Sequence, residues 1–491
     1  MNLSKLNFGA PAAERDINQG LKEYFVESDV FKKFFTKKKY VLIGNRGTGK
    51  SAIFKIIADR HKSKGELVIE LSPENYSYEM LSQLMLKESA GSWAKQGAYA
   101  AAWKYLLYVL VMKELNKAGR SFKTGSAVKI YNYLRDNHKD EQPNPIAILV
   151  SYLKRLEGVK LGKFEASFKT QELTRLYKLE EIMPLLPDLY GLCKKMNVTI
   201  LIDELDKGWD ASEDAKAFIS GLFQASMAMN EDTEYIRVMI SLRKELYDSI
   251  PALYEDAQKY RDIMDTIEWN EASLLNLISN RIRYSVSDLS EHSDIDSWNS
   301  IFVDTLDYRQ TKSFNYIIDR TLYRPREIIQ FCSDIIESKT DVTDYPLDYS
   351  IISKTELKYS QSRTQDIAAE YRFQWPGLNS VFELFRGKSY SFDRNELELF
   401  CMSMSTGEIR VGAEASWVLD QEPDFLVDVL WNVGFLRAQA VGGVKASRRS
   451  GSSYMGPHQV ANLNLKNINR FHVHPMFRAY LGLKESRDKN D

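Results

Sequence analysis

The stretch Gly44-Asn45-Arg46-Gly47-Thr48-Gly49-Lys50-Ser51 decides how the chain is read. It fits the pattern G-x-x-x-x-G-K-[ST]. It also follows the short apolar run Tyr40–Ile43 and opens the segment Ser51–His61, in which Ile53, Ile56 and Ile57 recur at helical spacing. Strand, glycine-rich loop and helix, in that order, give this pattern its chemistry. The glycines let successive backbone N–H groups turn toward one phosphate, the lysine neutralises its charge, and the serine offers a hydroxyl to Mg2+. Gly44, Asn45, Arg46, Gly47, Thr48, Gly49, Lys50 and Ser51 are therefore the expected phosphate cradle, with Ser51 as a metal ligand.

Working outward, Glu66–Leu71 reads as a second strand. Val198–Ile202 is an almost unbroken apolar run suited to a strand buried on both faces, and Tyr235–Ser241 is another, with the helix Glu213–Met229 between them. Such alternation specifies an α/β fold with a parallel sheet. Asp203 and Glu204 end the Val198 run, at the carboxyl edge where such sheets bind ligands. Asp203 is the expected acid of the Mg2+ shell, and Glu204 the expected base for the attacking water. Arg243 reaches the same edge as Ser241 if its strand lies beside that of Asp203, and is either a γ-phosphate sensor or a surface arginine at a strand end.

Roughly 150 positions separate Lys50 from Asp203, against about 30 residues for one βαβ unit. The helical patterns Tyr76–Ala90, Ala98–Lys117, Val128–Asn137, Ile146–Leu156 and Thr174–Met196 fill that interval, so a helical insertion projecting from the core is expected at about 76–195. Its Trp93, Tyr99, Trp103, Tyr105 and Tyr108 fall at helical spacing and read as core before recognition.

Asn18–Thr36 reads as one helix, and Lys32, Lys33, Lys37, Lys38 and Lys39 near its end form either a solvated face or a phosphate-contacting patch. Downstream, Asp265–Trp269 reads as a strand and Asn270 as an N-cap. Helices through Tyr284 and at Ser297–Leu306, Ser313–Thr321 and Pro325–Ser338 make a small helical domain. Pro325 stands at a first helical position between Arg324 and Arg326, and Arg326 is favoured to reach back to a nucleotide, with capping and pairing as the alternative. Arg261 is a candidate arginine finger for a neighbouring subunit, against a plain surface arginine. Past Pro346, helices at Gln361–Tyr371, Asn379–Phe385, Arg394–Met402 and Asp424–Val433 precede two strands, Phe435–Val441 and Val460–Leu465, around a Gly/Ser/Arg loop, which suggests a winged helix. The expected boundaries are 1–39 for an N-terminal helical segment, 40–269 for the core, 270–345 for the helical domain and 346–491 for the C-terminal part.

Composition narrows the function. With 491 residues, 44% hydrophobic, 27% charged and a net charge of −1, the chain is an ordinary folded protein without the overall field that holds a protein on DNA or lipid. Cys193, Cys332 and Cys401 stand far apart, which gives neither a disulfide framework nor a zinc site and fits a reducing cytoplasm. The start lacks a signal-like apolar segment, and no stretch has the length and apolarity of a membrane span. His472 and His474 read as a packing pair at a strand end.

Taken together, the glycine-rich loop, Leu201-Ile202-Asp203-Glu204-Leu205-Asp206-Lys207, Ser241-Leu242-Arg243 and Tyr323-Arg324-Pro325-Arg326-Glu327 resemble the origin-recognition-type AAA+ and STAND-like P-loop ATPases of bacteria, as do Asn432–Leu436 and Phe471–Phe477 in the tail. The resemblance implies ATP binding in the cleft between core and helical lid, Mg2+-dependent hydrolysis, homo-oligomeric assembly, and use as a switch, in many members within phage-defence neighbourhoods beside an effector. It makes Lys50 and Ser51 ligands of phosphate and Mg2+, Asp203 the metal-shell acid, Glu204 the catalytic base, Arg243 the first sensor, Arg326 the second, and Arg261 the finger. The tail departs from the pattern. The helix Asp424–Val433 carries no Lys or Arg and is flanked or lined by Asp420, Glu422, Asp424 and Asp428, so it is a poor reader of the major groove. Lys445, Arg448 and Arg449 in the loop could touch DNA phosphates without reading bases. The expected function is an ATP-driven switch controlling a protein effector. The alternative is a DNA-remodelling ATPase of the origin-recognition type.

Overall fold

The computed structural model describes residues 6–72, 92–118, 125–138, 145–161, 172, 175–207, 209–254, 260–338, 345–439, 454–460 and 463–484. They fall into two compact units, one of residues 27–268 and one of residues 1–26 with 269–491. The N-terminal segment thus divides between them. Its expected single helix is two, Leu21–Tyr24 and Asp29–Phe35, because Phe25 and Ser28 are extended and the Ser28 side chain accepts from Phe31 N to start the second.

Residues 27–268 form a mixed α/β unit around a five-stranded parallel sheet of order β2-β3-β4-β1-β5. The strands are β1 (Val41–Gly44), β2 (Leu67–Leu71), β3 (Val198–Ile202), β4 (Ile236–Arg243) and β5 (Met264–Thr266). Every residue of β1 and β3 is buried, whereas the edge strands β2 and β5 are only partly so. That is why the unbroken apolar runs were legible as central strands. Helix α1 (Lys50–Ser63) follows β1 and packs Ile53, Phe54, Ile56 and Ile57 inward.

The described helices of the insertion pack into the core instead of projecting from it. Its long helix α2 (Ser92–Ala118) lies against α3 (Glu213–Asp232), the helix between β3 and β4, and Tyr99, Trp103, Tyr105 and Tyr108 belong to the same core as the sheet. Trp103 Nε1 donates to the Phe218 carbonyl at 3.2 Å, and Tyr99 meets the Phe218 ring edge-on at 5.4 Å. A Cβ at Gly221 would sit 2.7 Å from Tyr99 Cβ and 2.8 Å from Ala100 N, so the helices touch backbone to backbone there. A helix apolar over most of its surface, with few charges between Ala98 and Met112, packs inside. The expected helix Tyr76–Ala90 lies outside the described residues, as does the side chain of Trp93. The others appear as Gly125–Asn137, Pro145–Leu161 and, in place of one long Thr174–Met196 helix, a short 3-10 turn Met183–Leu185 followed by Leu186–Cys193.

The second unit joins helices to a four-stranded antiparallel sheet. Helix α4 (Glu271–Ser285) starts at Asn270, whose side chain accepts from Ser273 N while Ser273 caps in return. Buried Arg281 of α4 pairs with Asp16 at 2.8 Å, and Asp16 also accepts from Ala10 N and Tyr24 Oη, which ties residues 8–24 to this unit. The expected helix Ser297–Leu306 is only Asp294–Asn299, started by Ser293 and ended where Val303 N turns to the Leu347 carbonyl. Helices α5 (Pro325–Glu337) and α6 (Tyr349–Glu370) follow, then α7 (Arg394–Ser405), α8 (Pro423–Asn432) and α9 (Pro475–Leu481). The sheet has the order β6-β9-β7-β8, from Ser391–Asp393, Arg470–Val473, Leu436–Gln439 and Tyr454–Met455. The described residues of the expected strand Val460–Leu465 form none: Asn464 caps a 3-10 turn at Leu465–Asn467, and the pairing strands lie on either side of it. Among the described residues no helix is long and apolar enough to cross a membrane.

Because α2 shares the core of the sheet, Trp103→Ala is expected to cost about 3–5 kcal/mol in the denaturant unfolding of residues 27–268. A loss below about 1 kcal/mol would return the insertion to the role of an appendage.

Candidate functional site

The site is built where β1 ends. Gly44 has no room for a side chain, since a Cβ would lie 2.5 Å from Ile267 Cγ2 and 2.7 Å from Thr48 Oγ1. The chain then curls back. Thr48 Oγ1 donates to the Asn45 carbonyl at 2.9 Å, and Gly47 and Gly49 take φ of 81° and 96°, the left-handed region that L side chains avoid. Gly49 is the N-cap of α1, so the amides of Lys50, Ser51 and their neighbours open toward the loop with no intrahelical acceptor.

Lys50 folds over this loop. Its Nζ donates to the carbonyls of Gly44 at 2.7 Å and Asn45 at 3.0 Å. Burial pulls the ammonium down to about 8, against Glu245 and Asp203, whose charges favour its protonated form.

The sheet order places β4 between β1 and β3, so the glycine-rich loop and Asp203 leave the same edge one strand apart. Asp203 N donates to the Leu71 carbonyl at 3.1 Å, which fixes the first residue past β3. Glu204 adopts φ of 61°, a strained backbone for a non-glycine residue that costs on the order of 1 kcal/mol and gathers at functional positions. Its carboxylate is paired with Lys207 at 2.8 Å. The parallel register sets Arg243 opposite Gly44, at the mouth of the loop, and Ser241 opposite Leu42, where it is buried and its hydroxyl has no hydrogen-bond partner among the described residues. Arg243 is ion-paired with Asp206 and lies 3.4 Å from Glu245. Lys50, Asp203, Glu204, Asp206, Arg243 and Glu245 are thus one cluster.

Other candidates stand elsewhere. Arg261 is exposed, just before β5. Arg326 belongs to the other unit, where its Nε donates to the Pro11 carbonyl at 3.3 Å. Arg324, its neighbour, is buried and paired with Glu370 at 2.7 Å. In the lysine run, Lys33 pairs with Asp265 at 2.7 Å, Lys37 with Glu66 at 2.6 Å and Lys32 with Asp29 at 3.7 Å, so three of its charges are already answered. Lys445, Arg448 and Arg449 lie outside the described residues. Helix α8 buries Leu426, Val427, Val429, Leu430 and Trp431, and Asp424 on it is held by Arg394 and Lys466. His474 is buried and accepts from Met476 N at 3.2 Å to start α9, while His472 stacks on Tyr454, a packing arrangement for both. Sequence reading missed Asp206, Lys207 and Glu245 as site residues. Lys207 was within reach as an i+3 partner of Glu204, but nothing local marked the other two.

The donor set fits Mg2+. A serine hydroxyl on the first turn of α1 and a carboxylate at the end of β3 are hard oxygen ligands, and this ion is commonly held by one or two protein oxygens plus phosphate and water. Ser51 and Asp203 would hold it, and it would supply charge neutralisation between phosphate oxygens.

Phosphate seated on this loop would supply negative charge to Lys50 and raise its basicity. Binding of ATP at about pH 8.5 is therefore expected to take up a fraction of a proton, read by calorimetry in buffers of different ionisation enthalpy. Uptake should vanish in Lys50→Arg, and its persistence there would assign the proton to another group.

Comparison with known proteins adds three findings. Residues 272–368 match the family described as the FunZ-associated C-terminal helical domain. Over 505 aligned positions the chain is 24% identical to the "Putative transposon gamma-delta 80.3 kDa protein" of Escherichia coli (strain K12), covering 99% of this chain and 68% of that one. Among solved structures, the chain aligns with the ORC1 protein of Aeropyrum pernix in complex with DNA over 96% of this chain and 91% of that one, at 9% identity and a TM-score of 0.33.

Proposed function

We propose that the chain is a Mg2+-dependent P-loop ATPase whose nucleotide state switches its engagement with a protein partner. The observation that carries this reading is Lys50, folded onto the carbonyls that open a glycine-rich loop and set at the same sheet edge as Asp203 and Glu204. An amine held 2.7 Å from a carbonyl and pulled down to about 8 by burial is a poor resting place for a charge, and phosphate oxygens are better acceptors.

The residues divide the work. The amides of the loop and of the first turn of α1 bind the phosphate chain, and Lys50 neutralises its terminal charge. Ser51 and Asp203 hold Mg2+. Glu204 leaves Lys207 to accept the proton of the attacking water, and Arg243 answers the γ-phosphate. Arg326 and Arg261 keep the second-sensor and finger roles that the resemblance implies, the latter in a homo-oligomer. The tail favours a protein partner over DNA, since α8 offers solvent Asp428 and Asn432, its N-cap is Glu422, and it carries no cation. A role in phage defence follows from the same resemblance. The C-terminal helices and antiparallel sheet are read as a winged-helix-like tail.

Steady-state ATP turnover tests the reading. Lys50→Ala is expected to lose nucleotide binding, and Glu204→Gln to bind ATP with turnover reduced about 100-fold or more. Duplex DNA is expected to leave the rate unchanged. Stimulation by DNA that fades as salt rises would instead favour the DNA-remodelling alternative, and turnover indifferent to both substitutions would sink the ATPase assignment.

A further inference from the structure

Arg243 is held on both sides by acid. One guanidinium nitrogen is ion-paired with Asp206, and the other lies 3.4 Å from Glu245 Oε1. The three side chains keep only 21%, 19% and 10% of their surface, so the pairing is worth more than an exposed one and costs more to open. The position is as telling as the pairing. Arg243 is in register with Gly44, the residue whose carbonyl takes the Lys50 ammonium, so the strand that carries this arginine ends beside the mouth of the loop. Two carboxylates, Asp206 from the turn after β3 and Glu245 from the first turn of the helix Lys244–Ser249 that follows β4, therefore clamp Arg243.

On the ATPase reading, on which this inference rests, we infer that Asp206 and Glu245 are positioning residues that hold Arg243 back and so set how strongly the site distinguishes a nucleoside triphosphate from the diphosphate. The α- and β-phosphates lie within reach of the loop amides and Lys50, and ask nothing of the clamp. A γ-phosphate adds a dense charge beside Arg243, and it gains that arginine only by drawing it from two carboxylates. Opening the clamp is a cost borne by the triphosphate alone. A ligand's apparent affinity falls by the fraction of sites ready to receive it, so weakening the clamp raises triphosphate affinity and leaves the diphosphate where it was.

Calorimetric titration with a slowly hydrolysed ATP analogue and with ADP, both with Mg2+, tests this in the full chain. Asp206→Asn and Glu245→Gln are each expected to tighten the ATP analogue about fivefold and to change ADP less than twofold. In an Arg243→Ala background the Asp206→Asn substitution is expected to change neither, because the arginine it restrains is gone. Equal shifts for both nucleotides, weaker binding of the analogue, or an effect that survives in Arg243→Ala would each overturn the inference. Should Asp206→Asn fail to give a cooperative thermal transition, Glu245→Gln decides by the same measurements. Failure of the two readings is separable. A wild-type chain that binds neither nucleotide refutes the ATPase reading, whereas one that binds both with a ratio unmoved by the variants refutes only the clamp.

Discussion

The parallel pairing of β4 with both β1 and β3 is the constraint on which the rest of the candidate site depends. It sets Gly44 beside Arg243 and brings Ile202 beside Ile240, so that three chain segments far apart in sequence release their loops at one edge. Without β4 in that place, the glycine-rich loop and Asp203 would still exist as motifs but would have no reason to meet. Residues buried on both faces hold the arrangement, since β1 and β3 present no exposed side chain and a one-residue slip would carry the loop off its mark.

The long interval between Lys50 and Asp203 does not loosen this core, because its first described helix is part of it. Trp103 and Tyr99 reach the Phe218 turn of α3, and α3 is the crossover that returns the chain to β4. A change in the placement of α2 would therefore be felt by the helix next to the acidic loop rather than dissipated at the surface. The Gly221 contact leaves no slack, with backbone packed against backbone.

Much of this was legible in the sequence where the information is local. Val198–Ile202 declared itself as a central strand by its unbroken apolarity, Asn270 as an N-cap by its residue type, and Gly44–Ser51 as a tight turn by its glycines, two of which take positive φ. What stayed hidden is non-local. Nothing in the run 203–207 says that Asp206 will face Arg243, because that partnership exists only once β3 and β4 pair. The lysines at 32–39 looked available until the fold brought Asp265 and Glu66 to two of them. The break at Phe25–Ser28 is obscured by a helical spacing of aromatics on both sides, although Ser28 is a good N-cap by type. In the tail, Val460–Leu465 had strand-like composition, but Asn464 turns the chain and the true strand begins later, at Arg470.

The central claim is that the loop of Gly44–Ser51 receives a triphosphate and that Lys50 moves to meet it. An experimental structure with Mg2+ and a non-hydrolysable ATP analogue tests this most directly. The account predicts the phosphates against the amides of the loop and the first turn of α1, with Lys50 Nζ withdrawn from the Gly44 and Asn45 carbonyls toward them. A nucleotide bound elsewhere, or one seated here with Lys50 still hydrogen-bonded to both carbonyls, would contradict it.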